Sequence, residues 1–208
     1  MIYHSSLMVF SNIKLRFMMV GAMTLLFFAH CRNETAYQKK ERLELAKGVR
    51  KDSLFFGYYL GMPRKAFYDK SWANNKQGLV TNGQGAEILC KPQGFKSPVQ
   101  MIFFPDFEQE KIARFRIKFT YESYSYWNKQ FSADSVLTEV IPVIKQWLDV
   151  KDFMEIQAPN KPTIWANVEG NRQILIFKED EQFAKVLVSD LTNKFKPKVE
   201  SDSKEIKK

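Results

Sequence analysis

The sequence predicts an α+β fold, one layered domain with helices packed on antiparallel sheet, and three observations predict it. Val136, Leu137, Val140, Ile141, Ile144, Trp147 and Leu148 recur at helical spacing and make one apolar stripe. Residues 112–121 alternate instead, with Phe115, Ile117 and Phe119 set against Arg114, Arg116 and Lys118, which is the period of a half-buried strand. The succession of a helix and then strands also runs twice along the chain, over about residues 57–121 and 131–191. Helices segregated from antiparallel strands define this class.

Taking the chain in order, Lys14 and Arg16 precede an apolar run from Phe17 to Ala29 that stops at Cys31. The run is shorter than the roughly 20 residues that span a bilayer and matches the roughly 7–15 residues of a signal-peptide core. Its end, Phe28-Ala29-His30-Cys31, resembles the lipobox Leu-Ala/Ser-Gly/Ala-Cys of bacterial lipoprotein signal peptides. Ala29 fits that box, while Phe28 replaces the usual Leu and His30 a small residue. The resemblance covers residues 8–31, and a start at Met8 would shorten an unusually long leader. It implies a signal peptide over 1–30, lipid attachment at Cys31, and export to the cell envelope, anchored to a membrane facing the periplasm or the cell surface. Each acyl CH₂ buried in that membrane contributes about 0.8 kcal/mol. An uncleaved short anchor and an ordinary cleaved signal are the alternatives.

Residues 31–52 read as the anchor cysteine and a charged tether, with Leu43, Leu45 and Val49 as its aliphatic positions. Its basic residues, Lys39, Lys40 and Arg42 among them, would either hold it near an anionic membrane at about 1 kcal/mol per charge or leave it a solvated spacer.

The single domain is expected over 53–193. Its first helix opens at Gly61-Met62-Pro63, where Pro63 suits the first helical position, and passes Phe67, Tyr68 and Trp72 to stop at Gly78, followed by Leu79. Strands are expected at 86–91, 99–104 and 112–121. Residues 99–104 are apolar on both faces, which predicts a more central strand than the alternating 112–121. The second helix is capped by Ser132 or Asp134 and carries Pro142, which is expected to bend or divide it. Strands follow at 153–157, 163–168, 173–178 and 183–189, with turns at Gly170-Asn171 and Glu179-Asp180-Glu181-Gln182, so this half reads as an antiparallel meander. Residues 194–208 mix Lys, Glu, Asp and Ser and have the composition of a disordered tail.

Leu60-Gly61-Met62, followed by a helix and a β-meander, resembles the SmpA/OmlA type of outer-membrane assembly lipoprotein over about sixty residues and, more distantly, the β-lactamase-inhibitor-protein fold. Pro63 stands where that family has Thr or Ser. Trp72-Ala73-Asn74-Asn75-Lys76-Gln77-Gly78-Leu79 also resembles segments of other bacterial envelope lipoproteins. The SmpA/OmlA-type resemblance implies a non-enzymatic binding module in the envelope and carries no functional residues onto this chain, while the Trp72–Leu79 resemblance implies no role.

Side-chain inventory narrows the chemistry. His4 and His30 are the two histidines and both lie in the leader, so the mature chain would hold no Ser-His-Asp triad, Cys-His pair or His-ligated metal. With Cys31 committed to lipid, Cys90 stands alone, and its apolar neighbours predict a small buried hydrophobe rather than a reactive thiol. The 32 basic residues exceed the 23 acidic ones, and two of the basic ones lie in the leader. The remaining excess favours anionic surfaces such as phospholipid headgroups, lipopolysaccharide or acidic polymers. No nucleic-acid-binding signature is present, and no cofactor is expected.

Four features could still carry chemistry. Arg114, Arg116 and Lys118 would line one strand face as a cationic row about 13 Å long, suited to a phosphate or carboxylate, or would simply be a solvated face. Tyr124, Tyr126 and Trp127 lie in the connector 121–128, where exposed rings would stack on a sugar or anchor a partner protein, or would close the core between the two halves. Asp106, Glu108 and Glu110 surround a Pro-containing hairpin, and Glu179, Asp180 and Glu181 fill a second turn. Neither has the calcium-loop pattern, so both are read as solvated turns, and no metal site is assigned.

No motif selects a catalytic residue. The expectation is a cell-envelope lipoprotein acting as a non-catalytic binding or assembly module. Its partners would be the membrane through the lipid anchor and an envelope protein, glycan or anionic lipid. The alternatives are a glycan-binding protein using Tyr124 to Trp127, a structural lipoprotein, or a histidine-independent hydrolase whose two carboxylates would converge in a deep pocket with one pKa raised by burial.

Overall fold

The computed structural model describes residues 34–159 and 161–192, and within them the alternating or apolar segments expected as strands join one antiparallel sheet. The leader 1–30, Cys31 with the next two residues, and the tail 194–208 lie outside the described residues. The strands are β1 (Thr81–Asn82), β2 (Ile88–Cys90), β3 (Val99–Glu108), β4 (Lys111–Tyr121), β5 (Met154–Ile156), β6 (Ile164–Glu169), β7 (Arg172–Lys178) and β8 (Ala184–Asp190). The helices are α1 (Ala36–Ala46), α2 (Arg64–Lys76) and α3 (Ala133–Leu148). Among the described residues no helix is long and apolar enough to cross a membrane.

Spatially the strands run β1-β2-β3-β4-β8-β7-β6-β5, so the two helix-then-strand passes of this α+β fold share one eight-stranded sheet. Each half is a meander, and the halves meet where β4 pairs antiparallel with β8, Phe115 opposite Val188 and Phe119 opposite Ala184. Strand pleating sends Phe115, Ile117 and Phe119 to the helix-covered face with Val186, Val188, Ile174 and Ile176, all buried. Lys118, Arg116 and Arg114 go to the other face, in register with Lys185, Leu187 and Ser189.

Three expectations change at proline or register. Residues 99–104 do not form the central strand: β4 takes that place between β3 and β8, while the second apolar set of β3, Ile102 and Phe104, lies half-buried on the open face. β3 continues through Pro105 to Glu108 with a register shift between Asp106 and Phe107, because pairing with β2 ends at Phe103 and the proline falls at an edge on that side. Asp106 and Glu108 are thereby strand residues, and the turn itself is Gln109-Glu110, both at positive φ (46° and 62°). Pro142 does not divide its helix. It removes the donor that would reach the Thr138 carbonyl, but seven buried side chains hold α3 continuous against the sheet. Pro63 sits just before α2 rather than inside it. There it bridges to Lys111, and Gly61 N–H donates to the Ile112 carbonyl (2.8 Å), seating the helix on the β3–β4 hairpin.

Gly78 ends α2 as expected. At φ 71° it donates to the Asn75 carbonyl while Leu79 N–H reaches that of Asn74, the paired bonds of a Schellman motif.

The segment expected to be tether joins the fold before residue 53. Arg50 Nη2 donates to Asp190 Oδ2 (2.9 Å), Lys51 N–H to Asn171 Oδ1 (2.7 Å), and Asn171 Nδ2 to Asp52 Oδ1 (2.9 Å). Gly170 makes room for this strap, since a Cβ there would lie 2.2 Å from the Val49 carbonyl oxygen. Buried Arg172 completes the network, donating to the carbonyls of Ser53 (3.1 Å) and of Leu148 at the end of α3 (2.7 Å). A guanidinium suits that place because its donors fork to two orphan carbonyls at once.

Candidate functional site: an aromatic-walled cleft and its neighbour

The segment leading into α2 makes a tight turn, Phe55–Gly57, in which Phe56 adopts the left-handed conformation (φ 51°, ψ 23°). A bulky side chain held there costs about 1–3 kcal/mol and needs surrounding support. Asn74, buried on α2, supplies it by donating Nδ2 to the Phe56 carbonyl (3.2 Å). Inward, the Phe55 ring packs edge-on against Phe103 (5.2 Å between centroids) and Phe115 (5.7 Å), and it meets Trp147 of α3 at 5.7 Å. Tyr58 lies beneath, its hydroxyl 3.0 Å from Ser71 Oγ, which satisfies the one polar atom of a buried ring.

Between this turn, the end of α2 and the β1–β2 edge opens a cleft of about 790 Å³ walled by Phe55, Phe56, Leu79, Val80, Cys90 and Trp147. Lys91, Gln93 and Gln100 add its polar positions. Size and lining match the usual small-ligand site, mostly apolar with a few polar groups to orient the occupant. Burial pushes the Cys90 thiol up to about 11, so at neutral pH it is an apolar wall and not a thiolate.

Val80 and Thr81 have a second hollow on their other side, of about 490 Å³, between the outer face of α2 and the β1–β2 hairpin. Tyr68, Trp72 and Asn75 line it from the helix and Asn82 and Glu87 from the hairpin. Trp72 is 65% exposed.

The cationic row occupies the open sheet face, as its spacing requires, with its charge shared. Arg116 Nη2 lies 2.9 Å from Asp106 Oδ1, Arg114 Nε lies 3.9 Å from the other oxygen of that carboxylate, and Lys118 Nζ lies 2.8 Å from Glu179 Oε2. Lys185 binds the second Glu179 oxygen. Burial pushes the Glu179 carboxyl up, but hydrogen bonds and charge from Lys118 and Lys185 outweigh it and hold it below its ordinary value. Three of the remaining acids of the two turns are also engaged: Glu110 with Arg64 (2.7 Å), Glu181 with Lys178 (2.7 Å), and Asp180 Oδ1 with the N–H groups of Gln182 and Phe183, while Glu108 keeps a buried Oε2 with no hydrogen-bond partner among the described residues. Among the described residues no three His, Cys, Asp or Glu side chains are grouped to hold a metal ion.

The connector aromatics separate. Trp127 is 88% exposed and Tyr126 60%, their rings edge to face at 5.2 Å with Lys129 over Tyr126, while Tyr124 is half-buried. Tyr126 and Trp127 therefore do not close the core. Tyr121 plays that part, buried against Phe131 with its hydroxyl donating to Glu139 (2.7 Å). Neither hollow is lined by Tyr124, Tyr126 or Trp127.

Sequence reasoning missed Phe55, Phe56 and the cleft role of Trp147. The double Phe before Gly57 was the available signal, since adjacent large apolar residues beside a glycine mark a turn that cannot bury both rings alike. Cleft and fold together define a small α+β protein with an apolar cleft at one end of its sheet. Comparison of the chain with protein-family models, with curated proteins and with solved structures gives no match.

Proposed function

We propose that the protein is a non-catalytic binding module of the cell envelope, exported by its leader, held at a membrane through lipid on Cys31, and taking up the apolar part of an envelope ligand in the cleft walled by Phe55, Phe56, Leu79 and Trp147. The observation that carries this reading is the cleft itself: about 790 Å³ of half-open space with apolar walls beside a strained, supported turn. The hydrolase alternative asks for two carboxylates converging in a pocket. The apolar cleft has none among its lining residues, and the second hollow has Glu87 alone.

Leu79 is 42% exposed and lines the cleft, so it can be changed with little cost to folding. Titrating the full-length chain with N-phenyl-1-naphthylamine should give saturable fluorescence enhancement, and Leu79→Glu should weaken it about tenfold. Absence of saturable uptake, or uptake indifferent to Leu79→Glu, rejects the cleft. The anchor is tested separately by intact mass of the membrane fraction: a mature N terminus at Cys31 carrying acyl mass is expected, and it should be lost in Cys31→Ala.

A further inference from the structure

We infer that the hollow between α2 and the β1–β2 hairpin is a saccharide site, with Trp72 and Tyr68 as its stacking wall and Glu87, Asn82 and Asn75 as its hydroxyl-binding wall. Tyr68 and Trp72 stand four residues apart on α2 and therefore share one face of the helix. That face turns outward: α2 buries Phe67 and Asn74 and leaves both large rings open to solvent beside a concave surface. Two exposed aromatic side chains at the lip of a hollow are costly to keep wet unless something covers them.

The opposite wall says what that something is. Asn82 and Glu87 make no side-chain hydrogen bond or ion pair among the described residues, although both line the hollow. Asn75 Nδ2 donates one of its two N–H groups to the Val80 carbonyl (2.9 Å), which fixes the amide at the edge of the hollow and leaves its Oδ1 without a hydrogen-bond partner among the described residues. Gly83 lets the hairpin close tightly, since a Cβ there would stand 2.9 Å from the Glu87 carbonyl oxygen.

A pyranose ring has one face of C–H groups and a rim of hydroxyls. The C–H face suits the negative π-face of an indole or phenol, and the hydroxyls suit planar amide and carboxylate oxygens. A free carboxylate disfavours phosphorylated or acidic sugars, so the class is neutral or N-acetylated oligosaccharide. Lys76 Nζ already lies 5.4 Å from the Trp72 ring centroid, which shows that this ring accepts a partner over its face. The site is independent of the apolar cleft, with which it shares Val80 and Thr81 as a common wall.

Isothermal titration of the full-length chain with the tetramer of N-acetylglucosamine and with maltotetraose tests the assignment. At least one should bind. Trp72→Ala should weaken binding about tenfold or more, Glu87→Gln should weaken it about threefold or more, and Trp127→Ala should leave it unchanged. Thermal midpoints of all three variants should match the parent chain, because each side chain is exposed. Naphthylamine uptake in the apolar cleft should persist in Trp72→Ala, so failure of the two sites can be told apart. Failure of both tetrasaccharides to bind at millimolar concentration, binding that survives Trp72→Ala, or binding lost in Trp127→Ala instead would each overturn the proposal.

Discussion

Helix α3 buries seven of its side chains, against β4, β7 and β8, whereas α2 buries only Phe67 and Asn74. The C-terminal half of the sheet is filled by branched aliphatics, Val140, Ile144, Ile174, Ile176, Val186 and Val188, and its end is clamped by Arg172. The N-terminal half is filled by rings, Phe55, Tyr58, Phe67, Phe103 and Phe115, meeting mostly edge-on or tilted. Branched aliphatics interlock at high density, while flat rings pinned by a single helical residue leave hollows at their margins. Both hollows described above border this half, so among the described residues the two repeats share an element order while the N-terminal one carries the open surfaces.

The largest break in that contrast should come from Phe67→Ala. It removes the one large apolar side chain that pins α2, at an expected cost of about 3–5 kcal/mol in urea denaturation. A loss under about 1 kcal/mol would mean that α2 is held by its seat on the β3–β4 hairpin instead. Next, Arg172→Met should cost about 3 kcal/mol, because it strands the carbonyls of Ser53 and Leu148 and the carboxylate of Glu169 without their donor.

A smaller effect should appear in acid. Burial pushes the Asp190 carboxyl up, but hydrogen bonds from Thr192, Asn171 and Arg50 outweigh it and hold the group below its ordinary 3.8. A folded pKa below the unfolded one means that the contribution is complete above the unfolded value and lost as pH falls through the folded one. Stability should therefore decline from about pH 4 downward, and Asp190→Asn should flatten that part of the decline. Smallest of all, Trp127→Ala should change stability by less than about 0.5 kcal/mol, since its ring touches little beyond Tyr126.

What could be read in advance was whatever depends on local period. The apolar stripe of α3, the alternation of β4 and the turn at Gly170-Asn171 each follow from neighbours within a few residues, and all stand where expected. The two residues of β1 are too short to show a period. The pairing of β4 with β8 was illegible because register between strands some seventy residues apart leaves no local mark. Similarly, Arg50 and Lys51 look like tether charges until Asp190 and Asn171 are brought beside them. For the candidate site, the cationic row could be placed on its face but its shielding by Asp106 and Glu179 could not, since Glu179 comes from the other half. The cleft is assembled from Phe55, Leu79, Cys90 and Trp147, four segments with no shared pattern.

The β4–β8 pairing also sets an order of events. A chain emerging from its N terminus can complete β1 through β4 early, but the outer edge of β4 stays unpaired until residues 184–190 arrive. Closing that seam demands a long loop, so it belongs to the slow, non-local part of folding. Until then β4 offers an open edge with Phe115, Ile117 and Phe119 on one side, a template for wrong pairing. The charged residues on its other side, Arg114, Arg116 and Lys118, therefore act as gatekeepers for the unfinished chain as well as neighbours of Asp106 and Glu179 in the finished one.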